Sequence, residues 1–169
     1  TLTPNGSGTS ATFNAPSLAT GEALVFRLTA SDGTGQGSAT VTISVNANRA
    51  PTAEAGQDQV DIEANAAVTL TGVGTDQDPQ TLTYLWEQTA GDPVSGLSAT
   101  NQATITFNTP INNTAQNLTF RLSVSDGTAT TTDSVTVGVK ANRAPIANAG
   151  PTQNSVGSES MVTLDGRGS

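Results

Sequence analysis

The chain has 169 residues, with 17 Gly, 8 Pro, no Cys, no His and a net charge of −8. Only six Lys and Arg are present, spread singly, so no basic surface exists to neutralise nucleic-acid phosphates, and no apolar run approaches the ~20 residues that a membrane-spanning helix needs. Without His or Cys, a Ser-His-Asp or Cys-His nucleophile and the usual zinc ligands are excluded from this stretch, while abundant Thr, Ser, Val, Gly and Pro favour a soluble β protein rich in turns.

Taken in chain order, the first recognisable unit is "FRLTASDGT" (Phe26 to Thr34), followed by "NRAPTAEAG" at residues 48 to 56. "AAVTLTG" then alternates, with Ala66, Val68 and Leu70 on one face. "LTYLWEQ" places Leu82, Tyr84 and Trp86 together, and "ATITF" does the same with Ala103, Ile105 and Phe107. Leu118, Phe120, Leu122 and Val124 alternate with polar residues, "SDGT" turns the chain, and Val135, Val137 and Val139 return. A Gly-containing turn between two alternating runs predicts a hairpin.

The chain repeats itself at a period of 94 residues. "FRLTASDGT" falls on "FRLSVSDGT" (Phe120 to Thr128), "NRAPTAEAG" on "NRAPIANAG" (142 to 150), and "VTLTGVG" (Val68 to Gly74) on "VTLDGRG" (Val162 to Gly168). The expected division is therefore the back of one repeat over 1–47, a whole repeat over 48–141 and the front of a third over 142–169, a window from a longer array. Roughly seven short strands in about 90 residues predict an all-β fold of tandem immunoglobulin-like β-sandwich repeats. Trp86, the single Trp, is expected on the inward face of the third strand of the whole repeat as a core residue, and a chain with 4% aromatics has little with which to build a sugar-stacking platform.

The succession "NRAPTAEAGQDQV", "VTLTGVGTDQDPQTLTYLWEQ", "FRLSVSDGT" and "DSVTVGVKANRAP" resembles the PKD-like (polycystic kidney disease repeat) domains, in the variant with a Y-x-W-x-Q strand. That resemblance implies a non-catalytic spacer, stalk or adhesion role in an extracellular or cell-surface protein of bacterial type. It also implies calcium in some members, bound near the start of the domain. Carried over by position, Asn48 and Arg49 match the opening segment, Asp76 and Asp78 match the first two acids of a D-P-D-G-D loop, and Asp126 matches the Asp of the last hairpin.

In an immunoglobulin-like sandwich these three places lie at one end, and carboxylates with carbonyl oxygens suit a cation taking 6 to 8 oxygen ligands. The loop departs from the family pattern, since "DQDPQ" has Pro79 for Gly and Gln80 for the third acid, which lowers the ligand charge. Two readings stay open for these acids: calcium ligands, or formers of Asx-type turns. In the flanking copies, Asp32 parallels Asp126 and Asn142 parallels Asn48.

Few residues separate successive repeats in "VNANRAP" and "VKANRAP", and Pro fixes φ there, so neighbours are expected to abut as a stiff or semi-stiff rod. "GVGTDQD" lacks the Gly-Lys-Ser/Thr ending of a phosphate loop. Asn5, Asn112 and Asn117 open glycosylation triplets that matter only in a glycosylating secretory route. The expected function is a stalk, adhesin shaft or filament segment with no catalysis in these residues, with neighbouring repeats as partners and other copies or an extracellular ligand as further ones. The alternatives are an accessory array beside a secreted hydrolase and a self-assembling fibre.

Overall fold

Between Gln116 and Ser125 every second side chain is apolar, and Leu118, Phe120, Leu122 and Val124 are all buried. A period of two lines such side chains on one face of a pleated strand, and that face seeds the sandwich. The computed structural model describes residues 3–4 and 10–164, in which twelve strands and no helix are found. They are β1 (Thr3–Pro4), β2 (Ala11–Thr12), β3 (Glu22–Ser31), β4 (Gln36–Val45), β5 (Thr52–Glu54), β6 (Gln59–Ile62), β7 (Ala67–Thr71), β8 (Val73–Thr75), β9 (Thr83–Ala90), β10 (Thr104–Asn108), β11 (Gln116–Ser125) and β12 (Thr130–Val139). The Asn5 triplet and the end of "VTLDGRG" lie outside the described residues.

One layer is the sheet β6-β12-β11-β9. β11 and β12 form a hairpin in which Phe120 faces Val135, and β9 lies antiparallel on the other side of β11, with Trp86 opposite Leu122 and Tyr84 opposite Val124. The facing layer consists of two short pairs, β10-β7 and β5-β8. Its inward side chains Val68, Leu70, Ile105 and Phe107 meet those of the first layer, and the Phe107 and Phe120 rings stack at 4.6 Å. Trp86 is buried as expected, with its indole N–H donating to the Ala103 carbonyl at 3.3 Å.

The first strand of the whole repeat is broken in two, which its sequence did not announce. β5 pairs antiparallel with β8, whereas β6 crosses to the other layer and runs parallel to β12. Gly56, at a φ of 89°, lies between the two pieces, a conformation that glycine adopts without penalty. Two carboxylates occupy backbone donors near this break: Asp133 Oδ2 accepts from Ala55 N–H at 2.7 Å, and Asp58 Oδ1 from Thr136 N–H at 2.8 Å. Buried Thr109 is also satisfied, since its hydroxyl donates to the Glu63 carbonyl and accepts from Ala66 N–H.

The β3-β4 hairpin repeats the β11-β12 hairpin at a shift of 94 residues, with the same bounds and register: Glu22 pairs Val45 as Gln116 pairs Val139. The "SDGT" turns match as well, with Gly33 and Gly127 at φ of 92° and 89°. The Phe13 and Phe26 rings meet at 4.9 Å, as Phe107 and Phe120 do.

Candidate functional site

Three loops meet at one end of the sandwich. Asn48 and Arg49 stand between β4 and β5, residues 76 to 82 link β8 to β9, and Asp126 opens the tight turn between β11 and β12. Asn48 joins them: its Nδ2 donates to Asp126 Oδ2 at 2.8 Å, while its Oδ1 accepts from Gln80 Nε2 at 2.5 Å and from Ser17 Oγ at 3.1 Å. Arg49 N–H donates to Asp78 Oδ2 at 2.7 Å, and its guanidinium donates to Gln77 Oε1 at 2.7 Å. Asp76 Oδ1 accepts from Asp78 N–H at 2.9 Å, two residues on, which is an Asx turn.

All five residues expected at this end are therefore brought into one network, linked mainly by amide donors. Among the described residues, no group of three or more Asp, Glu, His or Cys is placed to hold a metal ion. The Asn48 side chain and the Arg49 N–H occupy carboxylate oxygens of Asp126 and Asp78. Asp76 Oδ2 and Gln80 Oε1 are the exceptions, buried and without a hydrogen-bond partner. Unpaired buried oxygens are costly, and oxygen donors suit a hard cation, so this corner is where the residues present fit one. The sequence marked Gln80 only as a lost acid, but here it is a partner of Asn48. Ser17 carried no sequence signal, because it comes from the segment before β3.

The Asp126 carboxyl is held below the ordinary carboxylate value of 3.8, first by the Ala129 N–H, then by the Asn48 amide and the Thr128 N–H. Asp32, in the equivalent turn, is lowered to about 2 by the N–H groups of Thr34 and Gly35 and by the Thr34 hydroxyl. A carboxyl whose folded pKa is depressed contributes stability that is present above its unfolded pKa and lost as pH falls through the folded one. In an acid titration followed by carboxyl NMR, both groups are expected to titrate below 3.8, with Asp32 near 2. Asn48→Ala should move Asp126 upward and leave Asp32 in place; an unmoved Asp126 would show that the Asn48 contact does not act on its charge.

A family model described as K319L-like, PKD domain matches residues 55–139, half of the chain. The chain belongs to this PKD family. The motif resemblance thus holds, and the matched span runs from just after β5 to the last residue of β12. No curated protein matches the chain.

Among solved structures, the chain is similar to the PKD domain from KIAA 1837 protein at 29% identity, over 57% of this chain and 92% of that one, with a TM-score of 0.44. It is similar to a nucleoside hydrolase-related hypothetical protein from Saccharophagus degradans at 18% identity, over 56% of this chain and 26% of that one, with a TM-score of 0.46. It therefore spans about a quarter of that protein's length. A third similarity is to domains 4 and 5 of the S-layer protein SbsC, at 16% identity over 83% of this chain and 80% of that one, with a TM-score of 0.41.

The PKD domain also touches the segment before it at this end. Asn48 N–H donates to the Leu18 carbonyl at 2.7 Å, and Ser17 Oγ lies 2.7 Å from Thr128 Oγ1. A groove of about 270 Å³ at this end is lined by residues that include Pro16, Leu18, Ala47, Asp78, Pro79 and Gln80. At the opposite end, Asn142 N–H donates to the Asn112 carbonyl at 2.6 Å. Leu18 and Asn112 are 94 residues apart, as are Asn48 and Asn142, so one hydrogen bond is made at both junctions. Among the described residues no helix is long and apolar enough to cross a membrane.

Proposed function

We propose that this chain is a load-bearing segment of a longer extracellular or cell-surface protein of tandem PKD-like repeats, divided at 47/48 and 141/142, with its repeats held end to end. The carrying observation is the junction hydrogen bond made twice at the 94-residue period. A freely tethered linker would not repeat a backbone contact at both of its occurrences. At the first junction the contact is reinforced by Ser17, Asn48 and Thr128, so bending there would break several hydrogen bonds at once.

A second reading adds a cation at the same end, and the two unpartnered oxygens of Asp76 and Gln80 support it. With few carboxylates available, calcium affinity is expected in the range of extracellular modules, roughly 10⁻⁴–10⁻³ M. Asn48, Arg49, Asp76, Asp78 and Asp126 remain the residues through which it would act, with Gln80 added.

Two measurements on the full chain test the two readings. The chain has no Cys, so Thr29→Cys with Thr132→Cys gives one spin-label pair spanning the first junction in the full chain. A narrow distance distribution that broadens on Asn48→Ala is expected, and a broad one in the parent chain would overturn the rod. Millimolar calcium is expected to raise the melting temperature, with Asp76→Ala removing the rise. An unchanged melting temperature would rule out the cation and leave the rod standing.

A further inference from the structure

The opening segment of the whole repeat is linked to its last strand, β12, along most of that strand's length. Thr131 Oγ1 donates to the Pro51 carbonyl at 2.8 Å, Ala55 N–H to Asp133 Oδ2 at 2.7 Å, and Thr136 N–H to Asp58 Oδ1 at 2.8 Å. Further along, Gln59 faces Val137, Ile62 faces Val139, and Lys140 N–H donates to the Ile62 carbonyl at 2.8 Å. Residue numbers rise together on both sides, so 51–62 and 131–140 run parallel in one seam.

The two halves of this seam are made differently. From Gln59 onward it is the main-chain ladder of β6 and β12. Before Gln59 the chain belongs to the other layer, where β5 pairs with β8, and side chains bridge the gap instead. Asp133 reaches from β12 to the Ala55 N–H, and Asp58 reaches to β12 at the Thr136 N–H. A carboxylate that accepts from a backbone N–H makes a charge-assisted bond, stronger than a neutral one. Neither acid belongs to the 94-residue period, since Ala39 stands 94 residues before Asp133 and Thr152 stands 94 residues after Asp58.

Tension along an end-to-end array would enter this sandwich through Asn48, ahead of β5, and leave it beyond Lys140 at the opposite end. It would draw residues 51–62 toward one end and β12 toward the other. The bonds of a parallel seam then lie across the force and share it, whereas strands parted from one end lose their bonds one at a time. We infer that this seam is a shear clamp, with Asp58 and Asp133 as the side chains that carry its first half. The inference rests on the end-to-end reading for where load is applied, while the clamp itself is a property of one sandwich.

Single-molecule pulling on the full chain at a fixed force tests it, and because the chain has no Cys, introduced pairs set the axis. Ala47→Cys with Ala144→Cys loads the seam in shear, and Ala47→Cys with Thr130→Cys opens it from the Pro51–Thr131 end. The sandwich is expected to survive much longer on the first axis than on the second. Asp133→Ala is expected to shorten the shear lifetime about tenfold, the effect of losing one hydrogen bond to a charged group. Asp58→Ala should shorten it less, because that contact is exposed, and Asp58→Asn, which keeps an acceptor for the Thr136 N–H, should restore most of it. Glu87→Ala removes an ion pair to Arg121 that lies off the seam and is expected to change nothing. The shortening should shrink on the second axis, which a general loss of stability would not produce. Equal parent lifetimes on both axes would overturn the clamp and leave the end-to-end reading standing, because the spin-label distances test that separately. An unchanged shear lifetime for Asp133→Ala, or an equal shortening by Glu87→Ala, would overturn it as well.

Discussion

Replacing Trp86 by alanine is expected to lower the free energy of unfolding by about 3–5 kcal/mol. A domain of this kind has about 5–15 kcal/mol in all, so the change removes much of its stability. The indole is among the largest fully buried side chains, lies opposite Leu122 on β11 and donates to the Ala103 carbonyl. Alanine leaves a cavity between the two layers, while the Ala103 carbonyl keeps its other donor, the Gly72 N–H at 2.9 Å. Urea unfolding followed by far-ultraviolet circular dichroism reads the loss. Trp86→Phe keeps a ring but drops the hydrogen bond, and should fall between the two. A cost under about 1 kcal/mol for the alanine variant would mean that Trp86 does not anchor the core.

Gly72→Ala is the second large effect, and it acts by crowding. A Cβ at Gly72 would lie 2.4 Å from Leu122 Cδ2 and 3.0 Å from Trp86 Cζ2, both on fully buried side chains. Such overpacking costs about 1–3 kcal/mol, which exceeds the ~0.4–1 kcal/mol that alanine returns by restricting the unfolded chain. Gly138→Ala is the control, because its nearest neighbour is the Asn117 side chain at 3.5 Å, an ordinary contact. There the entropic gain should prevail and the protein should be unchanged or slightly more stable. If both substitutions behave alike, the close approach of the layers at Gly72 is not what selects glycine there.

The candidate site was legible in part. The placing of Asn48, Asp76, Asp78 and Asp126 at one end follows from strand order, because alternating runs and turn residues locate the loops. Asp76 and Asp126 make local turns and at the same time join a network spanning three loops. What the pattern could not carry was which groups complete the Asn48 amide. Its nitrogen turns to Asp126, since an ionised carboxylate only accepts, and its oxygen is taken by Gln80 and Ser17, which reach it from loops distant in sequence. The break between β5 and β6 was equally hidden, since it depends on which layer each piece can pair with.

By itself the sequence determined the all-β class, the hairpin with its SDGT turn, the inward side of β7, β9, β10, β11 and β12, and the 94-residue period, because each is written in local alternation, in turn residues or in self-similarity. Burial was decided elsewhere. β3-β4 and β11-β12 share their pattern, bounds and register, yet Leu122 is buried and Leu28 is bare. A strand's alternation says which face seeks cover, but burial also requires the residues that provide it, and among the described residues it is β11-β12 that has β5, β7, β8 and β10 folded over it. Hydrophobic stabilisation comes from surface removed from water by a partner, so it belongs to the assembled layers and not to either hairpin.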